Sequence, residues 1–276
     1  MSSQLARAHT FQQLHAADGA FVFPNPWDAG SAKMLASLGY KALATTSAGL
    51  AFALGRPDAE GAISLEENLA NAQAIVAATD LPVAGDLENG FADDPQGCAA
   101  CIKRAAAIGL VGGSIEDASG RADAPIYDFQ LAVERVQAAV EVARSLDFLF
   151  TLTARAENLL NGRDDLADTI RRLQAFAEAG ADVLFAPGLR SVAEIEAVVR
   201  AVAPKPVNVL MGLSGVTLTV AQLQDLGVKR ISVGSSLARA AYGEFLRAAQ
   251  DIQQNGRFTY AERALPFQHL NDLFKG

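Results

Sequence analysis

Eight short apolar runs, each followed by a longer segment of helical periodicity, constrain this chain more than any other feature. The runs are Phe21–Pro24, Ala42–Thr46, Leu81–Asp86, Gly112–Glu116, Phe148–Thr153, Asp182–Ala186, Pro206–Leu210 and Arg230–Val233. Runs this short and apolar throughout, without alternation, read as strands buried on both faces, as in parallel sheets covered by helices. Eight such β/α units predict a (β/α)8 barrel, an α/β fold. The 276 residues suit one barrel, since such barrels typically take about 250 residues. We expect a single domain over 1–276, the barrel over about 20–236 and extra C-terminal helices over about 237–276.

Local signals agree. Ser64 with Glu67 spells a capping box, and Asp94 before Pro95 an N-cap with proline in the first turn. Ala179–Gly180 reads as a helix stop. Val133, Val136, Val140 and Ala143 recur at helical spacing between Asp128 and Leu146. The Gly/Ala-rich connection from Ser47 to Ser64 reads as a long loop, and such loops are often functional. Leu237–Gln254 reads as a helix. The tail from Phe258 to Phe274 carries Leu265, Phe267, Leu270, Leu273 and Phe274, which need a covering surface on the barrel or on another subunit.

The formal charge of −8 and pI near 4.9 disfavour a nucleic-acid partner. No apolar run spans a bilayer and the N-terminus shows no signal-peptide pattern, so we expect a cytoplasmic protein with no membrane partner. Cys98 and Cys101 form a CxxC inside a helical pattern, where small apolar helix residues are a better reading than a redox pair. His9, His15 and His269 lie near the termini and are expected at the surface.

In a parallel barrel, chemistry gathers at the C-terminal strand ends. There this sequence places Ser47, Ala48 and Gly49 after the second run, Asp86, Glu88 and Asn89 after the third, Glu116 and Asp117 after the fourth, Arg155 and Glu157 after the fifth, and Asn208 in the seventh. Asp86, Glu88 and Glu116 are hard oxygen donors suited to Mg²⁺, which takes one or two carboxylates plus water and substrate oxygens. The competing reading is structural ion pairing with Arg155 or Lys103. Arg155 can grip a carboxylate through two parallel hydrogen bonds, or form a rim salt bridge to Glu157 or Glu116. Ser47–Gly49 offers a hydroxyl and open backbone amides for an anion. Gly234–Ser235–Ser236 reads equally as a phosphate turn or a plain helix start.

These stretches resemble the isocitrate lyase/phosphoenolpyruvate mutase superfamily. The matching segments are NPWDAGSAKMLASLGYKALATTSAGLA, GRPD, LPVAGDLENGF, VGGSIEDA, LTARAEN and AEAGADVLFAPG, in family order from Asn25 to Gly188. The resemblance implies an enzyme binding a small 2-oxo acid, with Mg²⁺ (or Mn²⁺) at Asp86 and with Glu88 and Glu116 binding directly or through water. It sets the substrate carboxylate against Ser47, Ala48 and Gly49, with Arg155 opposite, and matches Asn208 to an asparagine of the lyases. Asp58, in GRPD, matches a loop aspartate that closes over substrate, so Asp58, Glu116 and Arg155 are the candidate catalytic residues. It also implies a homodimer or homotetramer with the last helix exchanged between subunits.

The segment from Asp117 to Asp128 departs from the family. Isocitrate-cleaving members carry Lys-Lys-Cys-Gly-His after the fourth strand, and mutases carry Lys and Asn; here the stretch reads DASGRADAPIYD. We expect it to be a short mobile gate. The function expected is Mg²⁺-dependent cleavage of a carbon–carbon bond in a 2-oxo or 2-hydroxy acid. The alternatives are a phosphonopyruvate hydrolase or phosphonate mutase, an oxaloacetate decarboxylase, or a non-catalytic barrel that binds 2-oxo acids.

Overall fold

The structure, a computed structural model, describes residues 3–58, 61–213 and 217–275. In chain order the elements are α1 (Gln4–Ala16), β1 (Phe21–Phe23), α2 (Ala29–Ser37), β2 (Leu43–Ala44), α3 (Ser47–Ala53), α4 (Leu65–Ala77), β3 (Val83–Asp86), α5 (Pro95–Ala107), β4 (Gly112–Glu116), α6 (Phe129–Ser145), β5 (Thr151–Arg155), α7 (Leu166–Glu178), β6 (Val183–Phe185), α8 (Val192–Val202), β7 (Val207–Leu210), α9 (Val220–Asp225), β8 (Arg230–Ser232), α10 (Ser236–Asn255), a 3₁₀ turn (Thr259–Glu262) and α11 (Phe267–Phe274). All eight expected strands form. They pair in parallel in the order β1-β8-β7-β6-β5-β4-β3-β2. Ala44 N donates to Pro24 O at 3.0 Å across the remaining seam, so the sheet is a nearly closed (β/α)8 barrel.

The helix signals act as read. Ser64 and Glu67 form a reciprocal capping box on α4, Asp94 caps α5 with Pro95 in its first turn, and Gly180 follows α7 with φ +103°. Cys98 and Cys101 are buried free thiols on one face of α5. Burial pushes them up to about 11 and about 12, which makes them inert core residues.

Helix α1 closes the bottom of the barrel. Phe11 stacks on Phe23 with ring centroids 5.4 Å apart. Gly112 makes room for it: a Cβ there would lie 2.7 Å from Thr151 O and 3.1 Å from Phe11 Cε1. His9 and His269 are exposed as expected, whereas His15 is partly buried. Its ring packs edge-on against Phe11 and Phe21. No local pattern records this burial, because it comes from α1 folding under strands far along the chain.

Three further expectations change. The 47–64 connection is not a plain loop, because Ser47–Ala53 is helical, with the Thr46 hydroxyl accepting from Gly49 N at 3.1 Å. Ala59 and Glu60 of that connection lie outside the described residues. The 117–128 segment is pinned rather than left as a bare gate. Ala118 and Ile126 form an antiparallel bridge, Ser119 N donates to Pro125 O at 2.9 Å, and Tyr127 N donates to Asp117 O at 2.8 Å. Its anchors are backbone hydrogen bonds and the buried Tyr127, which an inventory of apolar side chains misses. The tail is partly covered by the barrel: α11 packs on α2, where Lys33 Nζ donates to Phe274 O at 3.1 Å. Helix α10 buries only Ala238, and Phe245, Leu246, Phe258, Leu265 and Phe267 stay exposed. Among the described residues no helix is long and apolar enough to cross a membrane.

Candidate active site

The C-terminal strand ends surround one cavity of about 210 Å³. Of the residues expected there, Ser47, Ala48, Asp58, Asp86, Arg155 and Asn208 line it; Gly49, Glu88 and Glu116 do not.

Asp86 ends β3, and its carboxylate accepts from Ser47 N at 3.0 Å and Ser47 Oγ at 2.9 Å. Arg155 ends β5, with its guanidinium 5.1 Å from the Phe185 ring centre. Its Nη1 lies 2.9 Å from both Asp86 Oδ1 and Glu116 Oε2, and its Nη2 lies 2.8 Å from Glu157 Oε1. Burial pushes Arg155 down, but Glu116, Glu157 and Asp86 together hold it above the usual arginine range. Burial pushes the Glu157 carboxyl up, against the pull of Arg155. The ion-pair reading of this cluster is therefore realised: Arg155 pairs with Asp86, Glu116 and Glu157, whereas Lys103 takes no part.

The remaining expected residues separate from that cluster. Glu88 sits in left-handed backbone (φ +47°), and its charge bears on the Cys101 thiol of α5. Gly49 is needed for packing, since a Cβ there would lie 2.5 Å from Thr46 Cγ2 and 3.0 Å from Trp27 Cβ. Its N–H is also committed to Thr46, and that of Ser47 to Asp86. Asn208 reaches the cavity, but its Nδ2 donates to Ser232 Oγ and its Oδ1 accepts from Arg230 Nε, each at 2.9 Å. Asp117 is buried away from the cavity in an ion pair with Arg172 at 3.0 Å, although burial raises its carboxyl. Asp58 is exposed at the cavity rim.

Sequence reasoning missed Asn25 and Arg230. Asn25 Oδ1 accepts from Val233 N and Gly234 N, both at 2.9 Å, while its Nδ2 donates to Thr45 O at 2.8 Å. It ties the ends of β1, β2 and β8 together. It also uses the Gly234 amide, one of those that a phosphate turn at Gly234–Ser236 would offer. Arg230 opens an apolar strand run, and a charge in a strand buried on both faces was the available signal.

Asp86, Glu88 and Glu116 do not converge on one point, and among the described residues no three His, Cys, Asp or Glu side chains form a ligand cluster. The donor chemistry still suits a hard divalent ion. Asp86 presents a carboxylate to the cavity, and one or two carboxylates with water and substrate oxygens meet the needs of Mg²⁺.

Residues 11–253 match the family described as phosphoenolpyruvate phosphomutase. A solved structure from Burkholderia cenocepacia J2315 with a provisional lyase/mutase description is 55% identical, with a TM-score of 0.96, covering 99% of this chain and 97% of that one. An uncharacterized protein of Mycobacterium tuberculosis is 33% identical over 92% of this chain and 94% of its own length. A probable 2-methylisocitrate lyase of Corynebacterium glutamicum is 29% identical over 91% of this chain and 82% of its own length.

Proposed function

The chain belongs to the phosphoenolpyruvate phosphomutase family, within the isocitrate lyase/phosphoenolpyruvate mutase superfamily of lyases and mutases, and from that premise we propose that it is a Mg²⁺-dependent enzyme cleaving a carbon–carbon bond of a small 2-oxo or 2-hydroxy acid. The observation that carries this reading is the shared cavity of Asp86, Ser47 and Arg155, in which a hard anionic donor stands beside hydroxyl and guanidinium donors.

Asp86 would hold the metal, which when bound supplies Lewis-acid polarisation of a carbonyl oxygen. Ser47 Oγ and the Arg155 guanidinium would bind the substrate carboxylate and the adjacent oxygen and hold them in register. As the carbon–carbon bond breaks, charge develops on that oxygen, and donors already fixed in a buried site stabilise it without reorganising. Glu116 and Glu157 act on Arg155 from behind as positioning residues. Asp58, exposed at the rim, would face a bound substrate from the solvent side. The exposed apolar side chains of α10 and the tail support a homo-oligomer built through this segment. The cytoplasm remains the compartment this reading assumes.

The test is product analysis with a panel of 2-oxo acids, 2-hydroxy acids and phosphonates in saturating Mg²⁺. Carbon–carbon cleavage of a carboxylic substrate is expected. Turnover confined to phosphonates would replace this reading with a carbon–phosphorus one.

A further inference from the structure

We propose that Arg230 receives a second carboxylate of the substrate at the floor of the cavity, so that the preferred ligand is a 2-oxo diacid rather than a monoacid. This inference rests on the reading of the cavity as the 2-oxo acid site.

Arg230 starts β8, with Phe21 and Asn208 as its register partners on either side. Only 4% exposed, it nevertheless lines the same cavity as Asp86 and Ser47. Its neighbours are polar or aromatic, and all are neutral. Nε donates to Asn208 Oδ1 at 2.9 Å, Nη2 donates to Thr153 Oγ1 at 2.9 Å, and Nη1 lies 3.4 Å from His15 Nε2. The Phe23 ring centre is 4.8 Å from its guanidinium carbon.

The contrast with other buried arginines is direct. Arg155 faces Asp86, Glu116 and Glu157, and Arg172 faces Asp117 and Asp168. Among the described residues no carboxylate pairs with Arg230, and burial alone pushes it down to about 9, which still leaves it charged at neutral pH. His15 stands beside Arg230 as a neutral imidazole. Burial and Arg230 push its imidazole down to about 3, and its Nδ1 is engaged with Phe11 O at 2.8 Å.

An arginine buried without an acid is costly, and an apolar residue of similar length would fill the space without that cost. The charge is compensated if an anion enters from the cavity. The guanidinium has five N–H donors, of which three are directed at Asn208, Thr153 and His15, so donors remain for a carboxylate. The polarity of the cavity fits this assignment. At the strand ends the cavity carries the Asp86 carboxylate, which suits a cation, whereas at the start of β8 it carries Arg230, which suits an anion. A 2-oxo acid bound at Asp86 and Ser47 would extend any second carboxylate toward the unneutralised end.

The experiment is calorimetric binding with Mg²⁺ of two matched pairs: oxaloacetate against 2-oxobutyrate, and 2-oxoglutarate against 2-oxopentanoate. Each pair differs in a terminal carboxylate replaced by methyl. For the wild-type protein we expect the diacid to bind at least ~10-fold tighter in one pair, the scale of a charge-assisted pair. In Arg230→Met that preference should collapse to about unity while the monoacid constant stays within ~3-fold. Arg230→Gln, which can keep a hydrogen bond to Asn208 or Thr153 while removing the charge, should behave the same way and covers the case in which the methionine variant does not fold. Diacid preference equal to wild type in a folded variant, or no wild-type preference in either pair, overturns the proposal and leaves the 2-oxo acid reading standing. If none of the four acids binds the wild-type protein, the reading of the cavity falls and this inference falls with it.

Discussion

Arg155 reaches from the end of β5 across β4 to place its Nη1 2.9 Å from Asp86 Oδ1 at the end of β3. One arginine thereby holds the carboxylate best placed to bind a metal while its other N–H groups meet Glu116 and Glu157. A divalent ion at Asp86 must share that carboxylate with Arg155, so the two groups should respond together to ligand.

Asp86→Asn keeps the shape of the side chain and its contact with the Ser47 hydroxyl but loses the charge. Mg²⁺-dependent binding of a 2-oxo acid should disappear, with thermal stability close to that of the parent. Calorimetric titration with and without chelator reads this directly, and full metal-dependent binding by the variant would remove Asp86 from the metal site.

Arg155→Lys keeps the positive charge but loses the planar fork that now contacts Asp86, Glu116 and Glu157 together. We expect kcat/KM to fall roughly 10²-fold, the scale of a misplaced catalytic contact. Steady-state kinetics on the best substrate of the panel decide it, and unchanged kinetics would leave Arg155 as a structural ion pair only.

His15 gives the fold a pH signature. Burial and the adjacent Arg230 push its folded-state pKa down to about 3, against 6.5 in the unfolded chain. Between those values the unfolded state binds the extra proton, so stability is fully present above about 6.5 and is lost as pH falls. The slope is at most about 1.4 kcal/mol per pH unit. Between pH 7 and 5 urea denaturation should show this loss in the parent and a flatter profile in His15→Gln, the raised carboxyls of Asp117 and Glu157 being common to both proteins. Parallel profiles would show that His15 protonates freely in the folded protein.

The exposed Phe245, Leu246, Phe258 and Phe267 need cover that the single chain does not provide. Light scattering at micromolar concentration should give a dimeric or tetrameric mass, and Phe245→Glu with Leu246→Glu should shift it toward monomer. A monomeric parent would end the oligomer reading and leave these side chains as a surface for some other protein.

The 117–128 segment supplies Ser119, Arg121, Asp123 and Tyr127 but no thiol or imidazole. A positioned proton donor typically contributes roughly 10²–10⁴-fold, so isocitrate and 2-methylisocitrate should be poor substrates. Tyr127 does not fill the gap, because its hydroxyl donates to Asp93 Oδ1 at 2.5 Å and burial pushes it up to about 12. Saturating-Mg²⁺ assays giving about 1–10³ s⁻¹ on either substrate would falsify this expectation.

The sequence by itself determined the order of the eight strands, the helix caps and the strand ends at which Ser47, Asp86 and Arg155 stand. Those features are written in residues that are neighbours along the chain: burial on both faces makes continuous apolar runs, and caps need particular side chains within three positions. Tertiary structure alone decided which polar groups meet. Arg155 finds Asp86 across 69 positions, Arg230 finds Thr153 across 77, and His15 lies against Arg230 across 215. Those encounters depend on inter-strand register, on the reach of long side chains and on a helix folded beneath the barrel. The same dependence consumed the Gly234 amide, which Asn25 reaches across 209 positions. A residue's type and its place at a strand end are therefore legible locally, whereas its charge partner, and so its chemistry, is fixed only when the barrel closes.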